Sequence, residues 1–383
     1  MKLRGAATSR PQWTDLSSGV TLSTMSTITT TLHRLGQSLW LDTITRTMLD
    51  DGTLARYVRD LAVTGLTSNP TIYNLAVKGS DAYDAAIAEK ARRGLSGEQL
   101  FFELAIEDLT RAADLFRPVF DRSGGVDGWV SLEVSPHLAY DATATLAAAS
   151  DLCGRAGRPN LFIKIPGTPA GLPAIEEAIA AGVPVNVTLL FTREQYLAAA
   201  DAYLRGLERR VDAGLSPRVG SVASLFISRW DNSSAADLPE TLRHRLGIAM
   251  GERCYKAYRD LLSSDRFQRL ANFGALPQRL LWASTGTKDP SLSDHLYVRA
   301  LAAPHTVNTM PESTLLAFAD HGTLGGVLSA GGGTAERMLF EITRAGVDID
   351  LLGSQLQSQG AAAFVKSWDE LLRVIDAKAT PPR

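Results

Sequence analysis

Long apolar runs, paired cysteines and a dominant charge sign are all missing from this 383-residue chain. Without about 18 consecutive apolar residues, no membrane-spanning helix is expected. The two cysteines, Cys153 and Cys254, lie far apart with no CxxC spacing, which fits a reducing compartment and a cytoplasmic protein. Lys and Arg total 39 against 41 Asp and Glu, a net charge of −2. The two signs are interspersed, so no basic stripe points to nucleic acid. Histidines 33, 137, 244, 295, 305 and 321 show neither HxxxH nor HExxH spacing, and GxSxG is absent. A metal centre and an acyl-transfer triad are both disfavoured, and no cofactor is expected. Lysine is scarce as well: eight residues, at 2, 78, 90, 164, 256, 288, 366 and 378, leave 31 arginines.

What is present is an ordinary globular balance, 45% hydrophobic and 21% charged, which excludes a disordered or fibrous chain. Residues 1–24 are polar, have no signal-peptide core, and precede a fresh start at Met25. They are expected to be a disordered leader or a start codon placed too far upstream. Residues 25–383 are then expected to form one domain. Their pattern is a short β-rich run followed by a longer amphipathic helical stretch, repeated. Runs at 38–42, 65–69, 129–134, 160–165, 183–190, 220–227, 279–284 and 305–310 make eight strands. The first helical stretch is expected over 43–61.

Eight strands alternating with helices predict an α/β fold, specifically a (β/α)8 TIM barrel. A doubly wound open sheet would place GxGxxG or a P-loop after the first strand, and neither occurs there. Beyond residue 322 the pattern predicts additional C-terminal helices, from about 323, folded over the barrel. The run Gly331-Gly-Gly333 is read as a hinge before a phosphate cradle.

Barrel chemistry is built where strands end, and polar residues sit near the end of nearly every run here. They are Asp42, Asn69, Glu133, Lys164, Asn186 with Thr188, Ser224, Ser284 and Asn308. Lys164 is the sharpest, between Phe162-Ile163 and Ile165-Pro166 in a strand buried on both faces. An amine held in an apolar site favours its neutral, nucleophilic form and can attack a ketone to give a Schiff base. The plain alternative is a structural ion pair with Asp42 or Glu133. Two-residue alternation puts Ser131, Glu133 and Ser135 on one face and Phe162, Lys164 and Pro166 on another. If both point inward, carboxylate and amine are neighbours, and Glu133 can move the protons that dehydration and hydrolysis require. Asp42 offers a second carboxylate. Arg229, just past the sixth strand, suits a phosphate dianion; a surface pair with Asp231 is its alternative.

These stretches together resemble the longer bacterial transaldolases. The matching segments are 38–43 (SLWLDT), 65–72 (GLTSNPTI), 131–141 (SLEVSPHLAYD) and 160–171 (NLFIKIPGTPAG). They continue through 185–191 (VNVTLLF), 224–231 (SLFISRWD), 281–289 (LWASTGTKD) and 305–311 (HTVNTMP). The resemblance implies a barrel enzyme carrying a dihydroxyacetone unit between phosphorylated sugars. By it, Lys164 is the Schiff-base lysine, Glu133 and Thr188 hold the catalytic water, and Asp42 is the acid/base at carbon–carbon cleavage. Asn69 and Asn186 would bind hydroxyls of the three-carbon unit. Ser224 and Arg229 would belong to the phosphate and hydroxyl site, with Phe226 as its apolar wall. Many transaldolases carry an arginine shortly after an Ala-Ser on the seventh strand. Here Ala283-Ser284 is followed by Thr-Gly-Thr-Lys288, so Lys288 is expected in that role beside Ser284. The competing readings are a fructose 6-phosphate aldolase on the same barrel, whose members usually lack this glutamate and phenylalanine, and a non-catalytic sugar-phosphate binder. Oligomeric state is left open.

Overall fold

The computed structural model describes residues 27–234 and 236–380; the expected leader at 1–24 lies outside them. Eight parallel strands close into a barrel in sequence order. They are β1 (Gln37–Leu41), β2 (Val63–Thr67), β3 (Val130–Glu133) and β4 (Leu161–Pro166), then β5 (Val185–Leu190), β6 (Ser221–Phe226), β7 (Gln278–Ala283) and β8 (Thr306–Met310). Every residue of these strands is buried, as strands covered by helices outside and side chains inside must be.

The helices begin where the sequence supplies caps. Asp141 accepts the Ala144 N–H to open Ala142–Ala156. Thr192 and Gln195 form a capping box at the start of Arg193–Asp212, satisfying backbone donors at that end. One expected helix is divided. In place of a single helix over 43–61 there are two, Arg46–Asp50 and Thr53–Asp60. Gly52 between them takes φ 75°, a left-handed conformation in which glycine avoids the steric cost borne by other residues.

Below the mouth, the barrel interior is filled by aromatics. Trp129 stacks on Phe162 with centroids 3.9 Å apart and rings 11° from parallel, and Trp40 lies 6.2 Å from Phe162. Gly65 makes room for this layer: a Cβ there would sit 2.6 Å from the Trp129 carbonyl oxygen and 2.7 Å from the Trp40 indole. At the N-terminal end, buried Asp127 accepts from Ser38 Oγ and from Trp40 Nε1 at 2.9 Å. Arg279 donates to Ser38 Oγ and the Thr306 carbonyl, each at 2.7 Å.

Beyond β8 come helices Glu312–His321, Ala335–Arg344 and Ile349–Ala379. The last contacts Pro70–Lys78, Asp84–Arg92, Gly97–Arg122 and β5. Gln357 fastens it by donating to the Gly167 and Leu189 carbonyls at 3.1 and 2.9 Å, and Trp368 Nε1 donates to Glu98 at 3.1 Å. Gly332 and Gly333 take positive φ in a turn before Ala335–Arg344. A Cβ on Gly333 would lie 3.1 Å from Glu252 Oε1, and one on Gly332 would lie 3.3 Å from the Lys256 side chain.

Gly65→Ala should lower stability by about 1–3 kcal/mol, the usual range for overpacking a filled core. The midpoint of urea unfolding measures it; an unchanged midpoint would mean that the aromatic layer has slack.

Candidate active site

The strand ends meet at a cavity of about 510 Å³. Asp42, Asn69, Lys164, Thr188, Ser224, Phe226, Arg229, Ser284 and Lys288 line it. Glu133 and Asn186 do not. They lie just beneath, 4% and 0% exposed.

Glu133 and Lys164 are register partners on β3 and β4, so both inward faces coincide as the two-residue alternation predicts. The Lys164 ammonium donates to Glu133 Oε2 at 2.9 Å and to the Ser68 carbonyl at 3.2 Å. The ion pair offered as the plain alternative is therefore formed, with Glu133, and the same lysine also faces the cavity. Burial pushes the Glu133 carboxyl up, against the downward pull of Lys164. Glu133 Oε1 and Thr188 Oγ1 are buried with no hydrogen-bond partner among the described residues, a cost that a polar ligand or water would relieve.

Asp42 follows β1 at the mouth and accepts from Thr67 Oγ1 at 2.7 Å. Desolvation pushes its carboxyl up; Lys164, Thr67 and Arg229 oppose the shift without cancelling it. Asn69 caps helix Pro70–Lys78 through its side-chain oxygen, which accepts from the Ile72 N–H at 3.0 Å. Its amide nitrogen has no acceptor among the described residues. Asn186 is committed differently: it donates to Ser131 Oγ at 3.1 Å and accepts from Ser224 Oγ at 2.7 Å. Asn186 is thus tied up beside Lys164, its register partner on the adjacent strand, instead of lining the cavity. Asn308 also departs from expectation, buried and accepting from Thr285 Oγ1 at 2.8 Å.

Arg229 makes no ion pair among the described residues. Its expected alternative partner, Asp231, is buried and accepts from Tyr297 and the Gly247 N–H at 2.8 and 3.1 Å. Arg229 instead lies over the Phe226 and Phe364 rings, 4.9 and 5.9 Å from their centroids. Burial draws it down from the usual guanidinium value, with Asp42 and Glu133 pulling the other way, and a guanidinium remains charged at neutral pH. Ser284 follows β7 with φ 56°, uncommon for a non-glycine residue. Its Oγ is 2.9 Å from Ser228 Oγ. Lys288 is exposed at the rim.

Nothing in the sequence pattern points to Phe364 as a site residue. It comes from the C-terminal helix and places its ring 5.5 Å from the Lys164 ammonium. Spacing within that helix reveals a buried face at Leu356, Gly360, Phe364 and Trp368, but not that the face covers the barrel mouth. Lys90 is the other buried lysine among the described residues. It is buried on a helix, 3.4 Å from Glu107, and lies outside the cavity.

An uncommitted guanidinium and a buried amine beside a carboxylate equip one cavity for an anionic carbonyl substrate. Comparison with known proteins agrees. A family model described as transaldolase/fructose-6-phosphate aldolase matches residues 39–375. The chain belongs to that family. Among similar curated proteins, a transaldolase of Saccharopolyspora erythraea is 45% identical, covering 90% of this chain and 95% of that protein. A transaldolase of Thermobifida fusca is 46% identical over 89% and 95%. Transaldolase 1 of Streptomyces coelicolor is 44% identical over 89% and 92%. No helix among the described residues is long and apolar enough to cross a membrane.

The raised Asp42 carboxyl has a consequence for stability. Its contribution to folding is fully present below the ordinary value of 3.8 and is lost as pH rises through the higher folded value. Asp42→Asn, neutral throughout, should melt above the parent at neutral pH, and the gap should close on acidification. Thermal melts from about pH 4 to pH 8 check this; a variant that melts lower at neutral pH would show that Asp42 is held mainly by its attraction to Lys164 and Arg229.

Proposed function

We propose that the protein is a transaldolase moving a dihydroxyacetone unit from sedoheptulose 7-phosphate to glyceraldehyde 3-phosphate, giving erythrose 4-phosphate and fructose 6-phosphate. The observation that carries this reading is the Lys164 amine, buried at the cavity and 2.9 Å from Glu133. Glu133 takes the ammonium proton, and the free amine attacks the ketose carbonyl at C2. The carbonyl oxygen leaves as water, producing an iminium. Glu133 Oε1 and Thr188 Oγ1, the two unpartnered buried oxygens, support a water-holding pair for this step and for the final hydrolysis.

Asp42 accepts the proton of the C4 hydroxyl as the C3–C4 bond breaks. The electron pair of that bond flows into the iminium, the aldehyde departs, and an enamine stays on Lys164. The acceptor aldehyde is then attacked by C3, Asp42 returns the proton to the new hydroxyl, and water releases the product ketose. A carboxyl raised by desolvation suits this two-way traffic, since a stronger hold on the proton helps it act as acid as well as base. The Asn69 amide and Ser224 are assigned to hydroxyls of the three-carbon unit. Arg229, with Ser284 and Lys288, is assigned to the phosphate. The iminium is itself the electron sink, so this route draws on no cofactor.

The deciding measurement is release of glyceraldehyde 3-phosphate from fructose 6-phosphate with and without erythrose 4-phosphate. Release should require the acceptor, with sedoheptulose 7-phosphate appearing in step; equal release without it would make the protein an aldolase. Borohydride with fructose 6-phosphate should inactivate the enzyme and label Lys164 alone, by peptide mass. Label on another lysine would sink the Lys164 assignment.

Arg229→Leu should raise KM for fructose 6-phosphate by about 10–100-fold, the worth of a charge-assisted hydrogen bond. Turnover of unphosphorylated fructose should change little. Equal losses on both substrates would remove Arg229 from the phosphate site.

A further inference from the structure

Lys288 lines two cavities, the one above and a neighbouring pocket of about 530 Å³. The second pocket also contains Asp294, His295 and His321. One ligand atom from each of these three residues falls within 4.8 Å of the others. Asp294 Oδ1 lies 3.0 Å from His295 Nδ1 and 3.1 Å from His321 Nε2. Asp294 and His295 belong to the segment after β7, and His321 ends helix Glu312–His321 after β8.

From this geometry we propose a binding site for a divalent transition-metal ion of the zinc type, held by Asp294, His295 and His321. Two imidazoles and one carboxylate favour Zn²⁺ or Co²⁺ over Mg²⁺ and Ca²⁺, which prefer all-oxygen sites. Metal–ligand bonds of about 2.0–2.1 Å in a tetrahedron place donor atoms about 3.3 Å apart, close to the two separations found. The Asp320 carboxylate is 3.1 Å from His321 Nδ1, the outer partner that orients a metal-bound histidine and directs its Nε2 lone pair inward. With Nδ1–H donated to Asp320, that lone pair faces the Asp294 oxygen, and a cation between the two would complete the contact. His295 is 6% exposed and its ring packs 5.9 Å from Phe318, so one donor is already fixed. Three protein ligands leave a fourth position for water.

No spacing in the sequence points to this cluster, because His321 lies 27 residues from Asp294. Its consequence would be mechanical. The ion would clip the segment bearing Ser284 and Lys288 to the helix after β8, stiffening the rim where phosphate is assigned. The site itself does not rest on the transaldolase reading.

The test is Co²⁺ titration of tag-free, chelator-stripped full-length protein, read by equilibrium dialysis and visible absorption. One equivalent should bind with a tetrahedral d–d spectrum and be displaced by Zn²⁺. His321→Ala should abolish that spectrum while keeping the parental melting temperature and basal transfer activity. Asp320→Asn should weaken binding by about 10–100-fold, as expected for loss of an outer partner. Wild-type protein that binds no more Co²⁺ than His321→Ala, or gives only an octahedral spectrum, would overturn the site and leave a cluster joined by protons alone.

Discussion

Taking the Lys164 ammonium and the Glu133 carboxylate out of water is the constraint to which the surrounding structure answers. Such a pair is stable only when geometry is good and the remaining polar atoms find partners. The 2.9 Å contact and the Ser68 carbonyl meet the amine, whereas Glu133 Oε1 is left without one. Removing one partner would strand the other charge at a cost of about 3–5 kcal/mol. The barrel makes the pairing rigid, since the two residues face each other across adjacent parallel strands. Beside them, Ser131, Asn186 and Ser224 satisfy one another. At the cavity, the buried oxygens left open include Glu133 Oε1 and Thr188 Oγ1.

The cavity wall shows the same economy with its arginine. Several arginines outside the barrel are paired, as in Arg158 with Asp114 and Arg266 with Glu208. Arg229 is set apart by its surroundings, between Phe226 and Phe364 with Gly360 against it, where a Cβ would come within 3.1 Å of the guanidinium. Aromatic faces hold a cation without neutralising it, so its charge stays available to an anion. Asp231, two positions on, could have quenched it but is turned to Tyr297 and Gly247. Confining an unpaired cation carries a desolvation cost, which a bound phosphate would reverse.

Much of this was legible in the sequence because barrels convert one-dimensional pattern into geometry. A polar residue at the end of an apolar run must reach the mouth, and that rule found Asp42, Asn69, Lys164, Thr188, Ser224 and Ser284. It failed where neighbouring strands compete for the same side chain. Asn186 obeys the strand pattern, but Ser131 and Ser224 claim both ends of its amide. Asn308 shows the other failure: its position near a strand end is right, yet its partner is Thr285. Over 43–61 the apolar spacing carries across Gly52, where the backbone turns left-handed, so one helical pattern covers two helices. Phe364 was beyond reach for a topological reason. Helical periodicity says that a face is buried, and only the closed fold says against what.

That last residue bears on why such a site would transfer a carbon unit and not simply release it. On the proposed mechanism the enamine is a nucleophile waiting for an aldehyde, and any proton delivered to its carbon ends the wait. Water is needed twice, to leave and to return at the iminium carbon, so excluding it altogether would stop turnover. The structure offers a division of labour. Polar atoms able to hold water, Glu133 Oε1 and Thr188 Oγ1, are buried beside strands β3 and β5, while the C-terminal helix brings the Phe364 ring over the amine. An apolar cover over the enamine with a polar floor beneath the iminium would let one water act on C2 while keeping bulk water from C3. Gln357 and Trp368, which fasten the helix to β5 and to Glu98, would then position that cover.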